Sequence, residues 1–492
     1  MPDNDKTRDS TMNGVSRRRF VEAAGASGIA VGLAGCIGGG GGGDGGGGDG
    51  GDGGGGDGGG SDDGEIGGTV TISSGAQYQD AGMAEALHEA GVPDSVTIEM
   101  TRPPQDSGGK QQQLRTAIDA ESSDPDLVLT DNGWTIPFIV RDDLVNLEEE
   151  MSDEFISRVK EQGVQSMIDT GTHPETGDLY SIPAFPDFPT VQYRKDLFRE
   201  AGYSDSDFDT WKNDPPDWSE FTTAVSEAHG ASDADYGHVW QGNDYIGLAC
   251  CTFNEYLTSM GGAFFGGPDN LFGPVGDRPV TIGEEEAVDG IEVAVDTIHG
   301  EGLAPMDVSA VSPQEVAGWI EPDTKSIFEN GNAVTQRNWT YAIGGAVSAF
   351  QDTDMEPGVM PLPAGPNGSW HAQGGWILSM NPFSDNKASA KEVIKAWWED
   401  SFLEHQFDAA NFMPPKPSLY SYVEESDTYG PYFEALEFSA QNLIPRPTTA
   451  VWPNQRTIVA TEVNAALRQE KSPQEAASTM QEKIEAIEDQ AA

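Results

Sequence analysis

Three short apolar runs, separated by two segments with helical spacing, constrain the fold of this chain more than any other feature. The runs Gly68–Ser73, Ser95–Met100 and Asp126–Thr130 are rich in Val, Ile and Leu, as strands are. Between the runs, apolar residues share one helical face: Met83, Ala84 and Leu87 before the second, and Leu114, Ala117 and Ile118 before the third. The alternation predicts an α/β fold with a doubly wound parallel sheet.

The carboxyl ends of the predicted strands carry residues suited to a ligand site. Ligands of doubly wound sheets bind beyond these ends, because parallel strands bring them to one edge. Ser73 to Gln77 follow the first strand, Arg102 follows the second, and Asp131 to Trp134 follow the third. We therefore expect Asp131 and Trp134 to line a ligand site.

The first 36 residues have the marks of an export signal. Arginines at 17 to 19 precede an apolar stretch from Phe20 to Gly35, which is shorter than the roughly 20 residues of a membrane span. The segment resembles a Tat lipoprotein signal, in which Arg17 and Arg18 direct export and Cys36 receives the lipid. Residues 1–36 are predicted to be this signal, and the mature protein to be lipid-anchored on the extracellular face of the membrane.

Residues 37–64 are predicted to be a tether between the anchor and the folded part. They are almost entirely Gly, interrupted by Asp, and such a chain behaves as a flexible, solvated coil. The folded part is expected to begin near Glu65, and the remaining length suffices for two packed domains.

The charge of the chain indicates a surface adapted to high salt. Asp and Glu number 82 against 27 Lys and Arg, which gives a net charge of −55, and the acids are spread along the chain. This pattern is typical of proteins from halophilic archaea, and it excludes nucleic acid as a ligand because no basic patch exists. Carboxylate pairs carry little information in such a composition.

The cysteines and the Gly-rich tracts indicate neither a metal nor a nucleotide site. Cys250 and Cys251 are adjacent in an apolar run, and we interpret them as small buried residues, with a vicinal disulfide as the alternative. No Cys/His cluster has zinc-ligand spacing. The tract Asp106–Gln111 lacks the upstream Gly and the Ser or Thr of a phosphate loop. We expect no cofactor and no metal.

A run of three prolines is predicted to form a stiff connection between two parts of the fold. Pro183, Pro186 and Pro189 separate the apolar segment Leu179–Ala184 from the segment Val191–Phe198. Proline cannot donate a ladder hydrogen bond, so this run suits a crossing between domains better than a sheet interior.

Four segments, in order, resemble a known family. They are Tyr180–Pro183 with Tyr193–Phe198, Phe328–Ala333 with Trp339, Met360–Pro363 with Gly374–Trp376, and Ile444–Pro447 with Trp452. Together they resemble the extracellular solute-binding proteins (family 1) of ABC importers, with the maltose- and trehalose/maltose-binding proteins as the nearest relatives. The match covers nearly the whole chain after the tether.

The resemblance implies a type II periplasmic-binding-protein fold, with two doubly wound lobes, a hinge and a ligand cleft between them. The chain would cross near Pro186, return near Pro357 and cross again near Asn411. Lobe 1 would then hold residues 65–186 and 358–410, and lobe 2 residues 187–357 and 411–492.

A sugar needs aromatic platforms for its C–H faces and polar side chains for its hydroxyls. Trp134, Trp339, Trp376 and Trp452 stand beside polar or loop residues, each with core packing as the alternative. The resemblance places Trp339 and Trp452 on lobe 2, facing the cleft and partly exposed. It also assigns ligand contacts to Asp187, Asp244 and Tyr245, and we add Asp131 from the end of the third strand and Arg337 beside Trp339. Asp187 and Asp244 stand where relatives have Glu, and Ile246 stands where they have an acid, which leaves the sugar open.

The resemblance therefore implies a monomeric binding protein that is not an enzyme. It would capture a di- or oligosaccharide, maltose- or trehalose-like, and hand it to an ABC permease driven by a separate ATPase. The alternatives are a secreted glycosidase, which would use two carboxylates, and the same fold with a polyamine or a glycerol phosphodiester as ligand.

Overall fold

The computed structural model describes residues 64–79, 81–104, 106–271 and 273–491. The predicted signal, including Arg17, Arg18 and Cys36, lies outside these residues, as does the predicted tether except Gly64.

The described chain is a mixed α/β structure with two main sheets. Its strands are β1 (Gly68–Ser73), β2 (Val96–Thr101), β3 (Leu127–Asp131), β4 (Ser181–Asp187), β5 (Pro189–Arg194), β6 (Tyr236–Val239), β7 (Ala333–Trp339), β8 (Pro357–Met360), β9 (His371–Ala372), β10 (Gly374–Met380) and β11 (Leu443–Ile444).

The helices before β8 are α1 (Ala76–Gln79), α2 (Met83–Glu89), α3 (Ser107–Asp119), α4 (Ile136–Ile139), α5 (Leu147–Glu150), α6 (Asp153–Gln162), α7 (Gln165–Thr170), α8 (Lys195–Glu200), α9 (Asp205–Trp211), α10 (Trp218–Gly230), α11 (Phe253–Ser259), α12 (Glu285–His299), α13 (Glu321–Glu329) and α14 (Tyr341–Phe350). Those after it are α15 (Lys387–Trp397), α16 (Asp400–Ala410), α17 (Tyr420–Glu424), α18 (Phe433–Gln441), α19 (Trp452–Leu467) and α20 (Pro473–Ala491). A π-helical turn, Leu248–Thr252, precedes α11.

The first sheet has the order β2-β1-β3-β10-β4 and forms the centre of lobe 1. Strands β1, β2 and β3 are parallel, as the sequence predicts, and β10 runs antiparallel to both β3 and β4. The carboxyl ends of β1 to β4 and the start of β10 therefore lie at one edge of this sheet. Leu87, Ile72 and Trp397 belong to the hydrophobic core that packs on it.

The second sheet has the order β6-β7-β5-β8 and forms the centre of lobe 2. Strands β6 and β7 are parallel, and β5 is antiparallel to β7 and β8. The short strands β9 and β11 pair with each other beside this lobe. A second large core includes Phe253, Ile291 and Val463 from helices of this lobe.

The proline run does not form a long connection. Pro183 and Pro186 lie within β4, and Pro189 begins β5, so that the chain crosses only at Asp187 and Phe188. Strand β4 is at the edge of its sheet, where a missing backbone donor is tolerated.

The predicted return near Pro357 also differs from the structure. Pro357 begins β8, which pairs with β5 in the second sheet, and β9 follows beside the same lobe. The chain rejoins the first sheet only at Gly374, the first residue of β10. In the described part of the chain, no helix is both long enough and apolar enough to span a bilayer.

Candidate functional site

A cavity of about 560 Å³ lies between the two lobes. Its lobe 1 wall comes from the carboxyl edge of the first sheet, where Gly75, Arg102 and Asp131 follow or end β1, β2 and β3. Its lobe 2 wall includes Trp339 at the end of β7 and Tyr245 after β6. The doubly wound topology thus brings the loops after the parallel strands to one place, as their order in the sequence predicts.

Asp131 joins the two walls through an ion pair. Its Oδ1 lies 2.7 Å from Nη1 of Arg446, which follows β11, and both side chains are almost fully buried. Ser107 donates a hydrogen bond to Oδ2 over 2.8 Å. A Cβ at Gly133 would lie 2.7 Å from Nη1 of Arg446, so a larger residue there would crowd the guanidinium that reaches Asp131.

Asp187 occupies the crossing between the sheets and lines the cavity. Its Oδ1 accepts hydrogen bonds from the backbone N–H of Phe188 (3.1 Å) and from the N–H (3.0 Å) and hydroxyl of Thr340. Burial raises the pKa of Asp187 to about 7, although these hydrogen bonds act in the opposite direction. The carboxylate therefore ties the end of β4 to the residue that follows β7.

Trp339 and Tyr245 share one acceptor in the lobe 2 wall. Oε1 of Glu321 accepts from the Tyr245 hydroxyl at 2.8 Å and from the indole N–H of Trp339 at 3.3 Å. Glu321 is held at this position because it opens α13, where Pro322 is compatible with the first helical turn. The Trp339 ring also packs on Gly374, where a Cβ would lie 2.5 Å from the ring. Trp339 is only 7% exposed, whereas a partly exposed ring was predicted from the sequence.

Trp376 lines the lobe 1 side of the cavity, and Lys110 covers its ring. The ammonium nitrogen of Lys110 lies 3.9 Å from the ring centroid, a cation–π contact. Burial lowers the pKa of Lys110 to about 8, while the negative charges of Asp131 and Glu321 act to raise it. A partly desolvated ammonium group at this place can donate hydrogen bonds to a ligand.

Two of the predicted tryptophans lie in the hydrophobic cores instead of the cavity wall. Trp452 is 1% exposed and packs edge-to-face on Phe264, with ring centroids 5.2 Å apart. Trp134 is equally buried and packs against Phe138, while its indole N–H donates to Ser107. The expectation that Trp452 faces the cleft and is partly exposed is wrong, because this first residue of α19 is enclosed in the core of lobe 2.

Arg337 and Asp244 also lie outside the cavity lining. The buried guanidinium of Arg337 forms an ion pair with Glu255 and donates to Gln241 over 2.8 Å. It lies 4.7 Å from the centroid of the Trp339 ring, and this cation–π contact helps to hold the ring in place. Asp244 is exposed and accepts a hydrogen bond from Thr461. Of the predicted ligand contacts, the structure brings together Asp131, Asp187, Tyr245, Trp339 and Trp376.

Five charged residues of the cavity wall were not predicted from the sequence to contact a ligand: Asp106, Lys110, Glu321, Lys325 and Arg446. Lys110 belongs to the tract that lacks the phosphate-loop pattern, and Arg446 belongs to the Ile444–Pro447 segment that carries the family resemblance. The scarcity of basic residues could have drawn attention to Lys110 and Arg446, since only 27 residues of this acidic chain are Lys or Arg. Glu321 gives no comparable signal among 82 acids.

The site combines apolar ring surfaces with both hydrogen-bond donors and acceptors. Phe185, Tyr341 and Phe412 extend the aromatic surface around the hinge side of the cavity. Among the residues that the structure describes, no group of three or more His, Cys, Asp or Glu side chains is placed to hold a metal ion. This arrangement suits a small polar ligand with apolar faces.

Comparisons with known proteins agree with this architecture. The model of the family described as bacterial extracellular solute-binding protein matches residues 70–397. A probable ABC transporter-binding protein of Deinococcus radiodurans is 24% identical over 400 residues, which are 80% of this chain and 86% of that protein.

Two solved structures illustrate the fold. Maltose-bound MalE3 of T. maritima superposes with a TM-score of 0.70 at 27% identity, and the match covers 85% of this chain and 98% of that one. UgpB from Mycobacterium tuberculosis, in complex with glycerophosphocholine, superposes with a TM-score of 0.67 at 18% identity, over 86% and 99% of the two chains.

Proposed function

Because this chain belongs to the family of bacterial extracellular solute-binding proteins, we propose that it captures a di- or oligosaccharide, maltose- or trehalose-like, between its lobes. It then delivers this sugar to an ABC permease that a separate ATPase drives. The protein acts as a monomer, since one chain supplies both walls of the cavity.

The observation that carries the proposal is that aromatic rings and hydrogen-bonding charged side chains lie next to each other in one cavity. Trp339 and Tyr245 stand beside Glu321, and Trp376 stands beside Lys110 and Asp131. A sugar ring needs such a combination, because its C–H faces stack on aromatic rings while its hydroxyls both donate and accept. Maltose is also the ligand of the MalE3 relative.

The charges of the cavity favour a neutral ligand over the two charged alternatives. A polyamine would meet the ammonium of Lys110, which lies over the Trp376 ring. A glycerol phosphodiester would need free cationic donors, but Arg446 is paired with Asp131, and Lys325 is paired with Glu329. Lys110 and Arg102 also line the cavity and could serve a phosphodiester, so this ligand class belongs in the test.

A thermal-shift screen in multimolar salt, followed by calorimetric titration, tests the ligand class. The panel comprises maltose, trehalose, maltotriose, spermidine and glycerophosphocholine. A ligand at 100 times its Kd should stabilise the protein by about 2.7 kcal/mol. Stabilisation by glycerophosphocholine or spermidine alone would overturn the sugar proposal.

No catalytic role is proposed for the cavity. The carboxylates that a glycosidase would use are already engaged: Asp187 with Thr340, and Glu321 with Tyr245 and Trp339. Incubation of the protein with maltotriose or an aryl glucoside should therefore leave the substrate intact by chromatography. Hydrolysis that Glu321→Gln abolishes would instead support the glycosidase alternative.

We propose that the protein is exported by the Tat pathway and anchored through a lipid on Cys36. The Cys36→Ser change removes the lipid acceptor and leaves Arg17 and Arg18 in place. The variant should appear in the medium instead of the membrane fraction, whereas replacing both arginines with lysine should retain the protein inside the cell. Membrane retention of the Cys36→Ser protein would contradict the lipid anchor.

A further inference from the structure

Two adjacent thiols line the ligand cavity, and the proposed sugar contacts do not use them. Cys250 and Cys251, the cysteine pair, lie in the π-helical turn Leu248–Thr252 and are both free thiols. Each residue is 3% exposed, and both are part of the cavity lining. Their Sγ atoms are 3.1 Å apart and share a hydrogen bond. The cavity is therefore the route by which a small reagent reaches them.

The surroundings make the two thiols chemically unequal. The hydrogen bond with Cys251 lowers the pKa of the Cys250 thiol, and the positive charges of Arg446 and Arg456 act in the same direction, against burial and Asp131. Burial raises the pKa of the Cys251 thiol. Cys250 is accordingly the better nucleophile, because thiolates and not thiols attack, and Cys251 stands beside it as a resolving thiol.

We propose that the cysteine pair is a redox-modification site within the ligand cavity, which a peroxide oxidant converts from a dithiol to a vicinal disulfide. In the first step the Cys250 sulfur attacks one peroxide oxygen, the O–O bond breaks, and a sulfenic acid and one water form. In the second step the Cys251 sulfur attacks the Cys250 sulfur, the S–O bond breaks, and a second water leaves. Both sulfurs are oxidised, and hydrogen peroxide is reduced to two waters.

Closure requires a small approach of the sulfurs and a distortion of the backbone. A disulfide requires an S–S distance of about 2.05 Å, so the sulfurs need to approach by roughly 1 Å, whereas the Cα atoms of adjacent residues, about 3.8 Å apart, are closer than the roughly 4.4–6.8 Å of ordinary disulfides. The π-helical turn follows Tyr245 and Gly247, which also line the cavity. Bond formation therefore constrains the backbone beside the ligand, and a bound ligand shields the thiols from the oxidant. This shielding rests on the proposed sugar-binding function, whereas the oxidation itself does not.

The oxidation is tested on the full-length chain carrying Cys36→Ser, in which the pair supplies the only thiols. One equivalent of hydrogen peroxide should consume both thiols and remove two hydrogens, and peptide mass spectrometry should locate the bond between Cys250 and Cys251. Dithiothreitol should restore both thiols. Adding Cys250→Ser or Cys251→Ser should leave a single thiol that cannot form the intramolecular bond.

Three results would overturn the redox site. These are thiols that persist while free glutathione is oxidised, sulfinic acids as the main product, and disulfide-linked dimers as the main product. Each would show that the paired sulfurs do not close on each other within one chain.

Protection by bound maltose tests whether the cysteine pair lies in the ligand cavity. At ten times its Kd, maltose should slow thiol loss about tenfold, because about one cavity in eleven remains free. If calorimetry shows maltose binding and the rate does not change, the thiols are not in the ligand path, and the proposal is overturned. If the disulfide forms but no ligand of the maltose type binds, the redox site stands and the proposed function fails.

Discussion

Oδ1 of Asp131 and Nη1 of Arg446 lie 2.7 Å apart, and this ion pair connects the edge of the first sheet to the segment after β11. The two residues are 315 positions apart in the chain. Both line the ligand cavity, so the same contact shapes the site and holds the two lobes at their present separation. A substitution in this pair therefore perturbs both the site and the separation of the lobes.

We predict that Asp131→Asn lowers the free energy of unfolding by about 3 kcal/mol or more, because it leaves the buried Arg446 charge without a partner. Denaturant unfolding without ligand measures the change. Ser107→Ala is the comparison, since it removes the hydrogen bond to the same carboxylate and the acceptor of the Trp134 indole N–H but no charge, and it should cost about 2 kcal/mol. Equal effects of the two variants would mean that solvent reaches Arg446 and that the pair contributes little.

Trp339→Ala and Trp452→Ala should differ in their effect on sugar binding. Trp452 packs on Phe264, so its loss should reduce the stability of the unliganded protein by about 3–5 kcal/mol. Trp339 lines the cavity, so its loss should weaken sugar binding by about 2–4 kcal/mol. Calorimetric titration and thermal melting of both variants separate the effects. Normal sugar affinity in folded Trp339→Ala would remove this ring from the site.

Asp187 should make stability fall as the pH rises. Burial raises the pKa of this carboxyl from 3.8 to about 7, so the folded state binds its proton more tightly than the unfolded chain does. The resulting stabilisation is complete below about pH 4 and is lost as the pH rises toward 7, at about 1.4 kcal/mol per unit within this window.

The many other acids titrate as well, so the measurement is the difference in unfolding free energy between the protein and Asp187→Asn across this range. The difference should change with pH in the stated direction. A difference that stays constant from pH 4 to 8 would mean that Asp187 is ionised throughout.

The net charge of −55 predicts that folding requires salt. Repulsion among these charges is screened only when the Debye length falls to about 3 Å, near 1 M salt. The melting temperature should rise steeply between low salt and molar KCl. A melting temperature that is indifferent to KCl would contradict the predicted adaptation to high salt.

Local patterns in the sequence are sufficient for three strands of the first sheet and for part of the site. The apolar runs of β1, β2 and β3 are short and bounded by helical spacing, and the parallel order predicted from them is confirmed. Because strand direction fixes which loops share an edge, Asp131 could be placed at the site from the sequence alone.

Tertiary packing decided the rest, because the sequence around a residue does not record which distant element it faces. Trp339 and Trp452 stand in similar polar surroundings and both belong to the core of lobe 2, but only Trp339, at the end of β7, also lines the cavity. The roles of Glu321 and of the cysteine pair likewise depend on neighbours that are distant in the sequence, such as Tyr245 for Glu321 and Arg446 for the pair. Local periodicity determined the parallel strands β1 to β3, because each is a short apolar run. The insertion of β10 into the first sheet and the docking of the two lobes depend on distant contacts, and they determined which side chains meet between them.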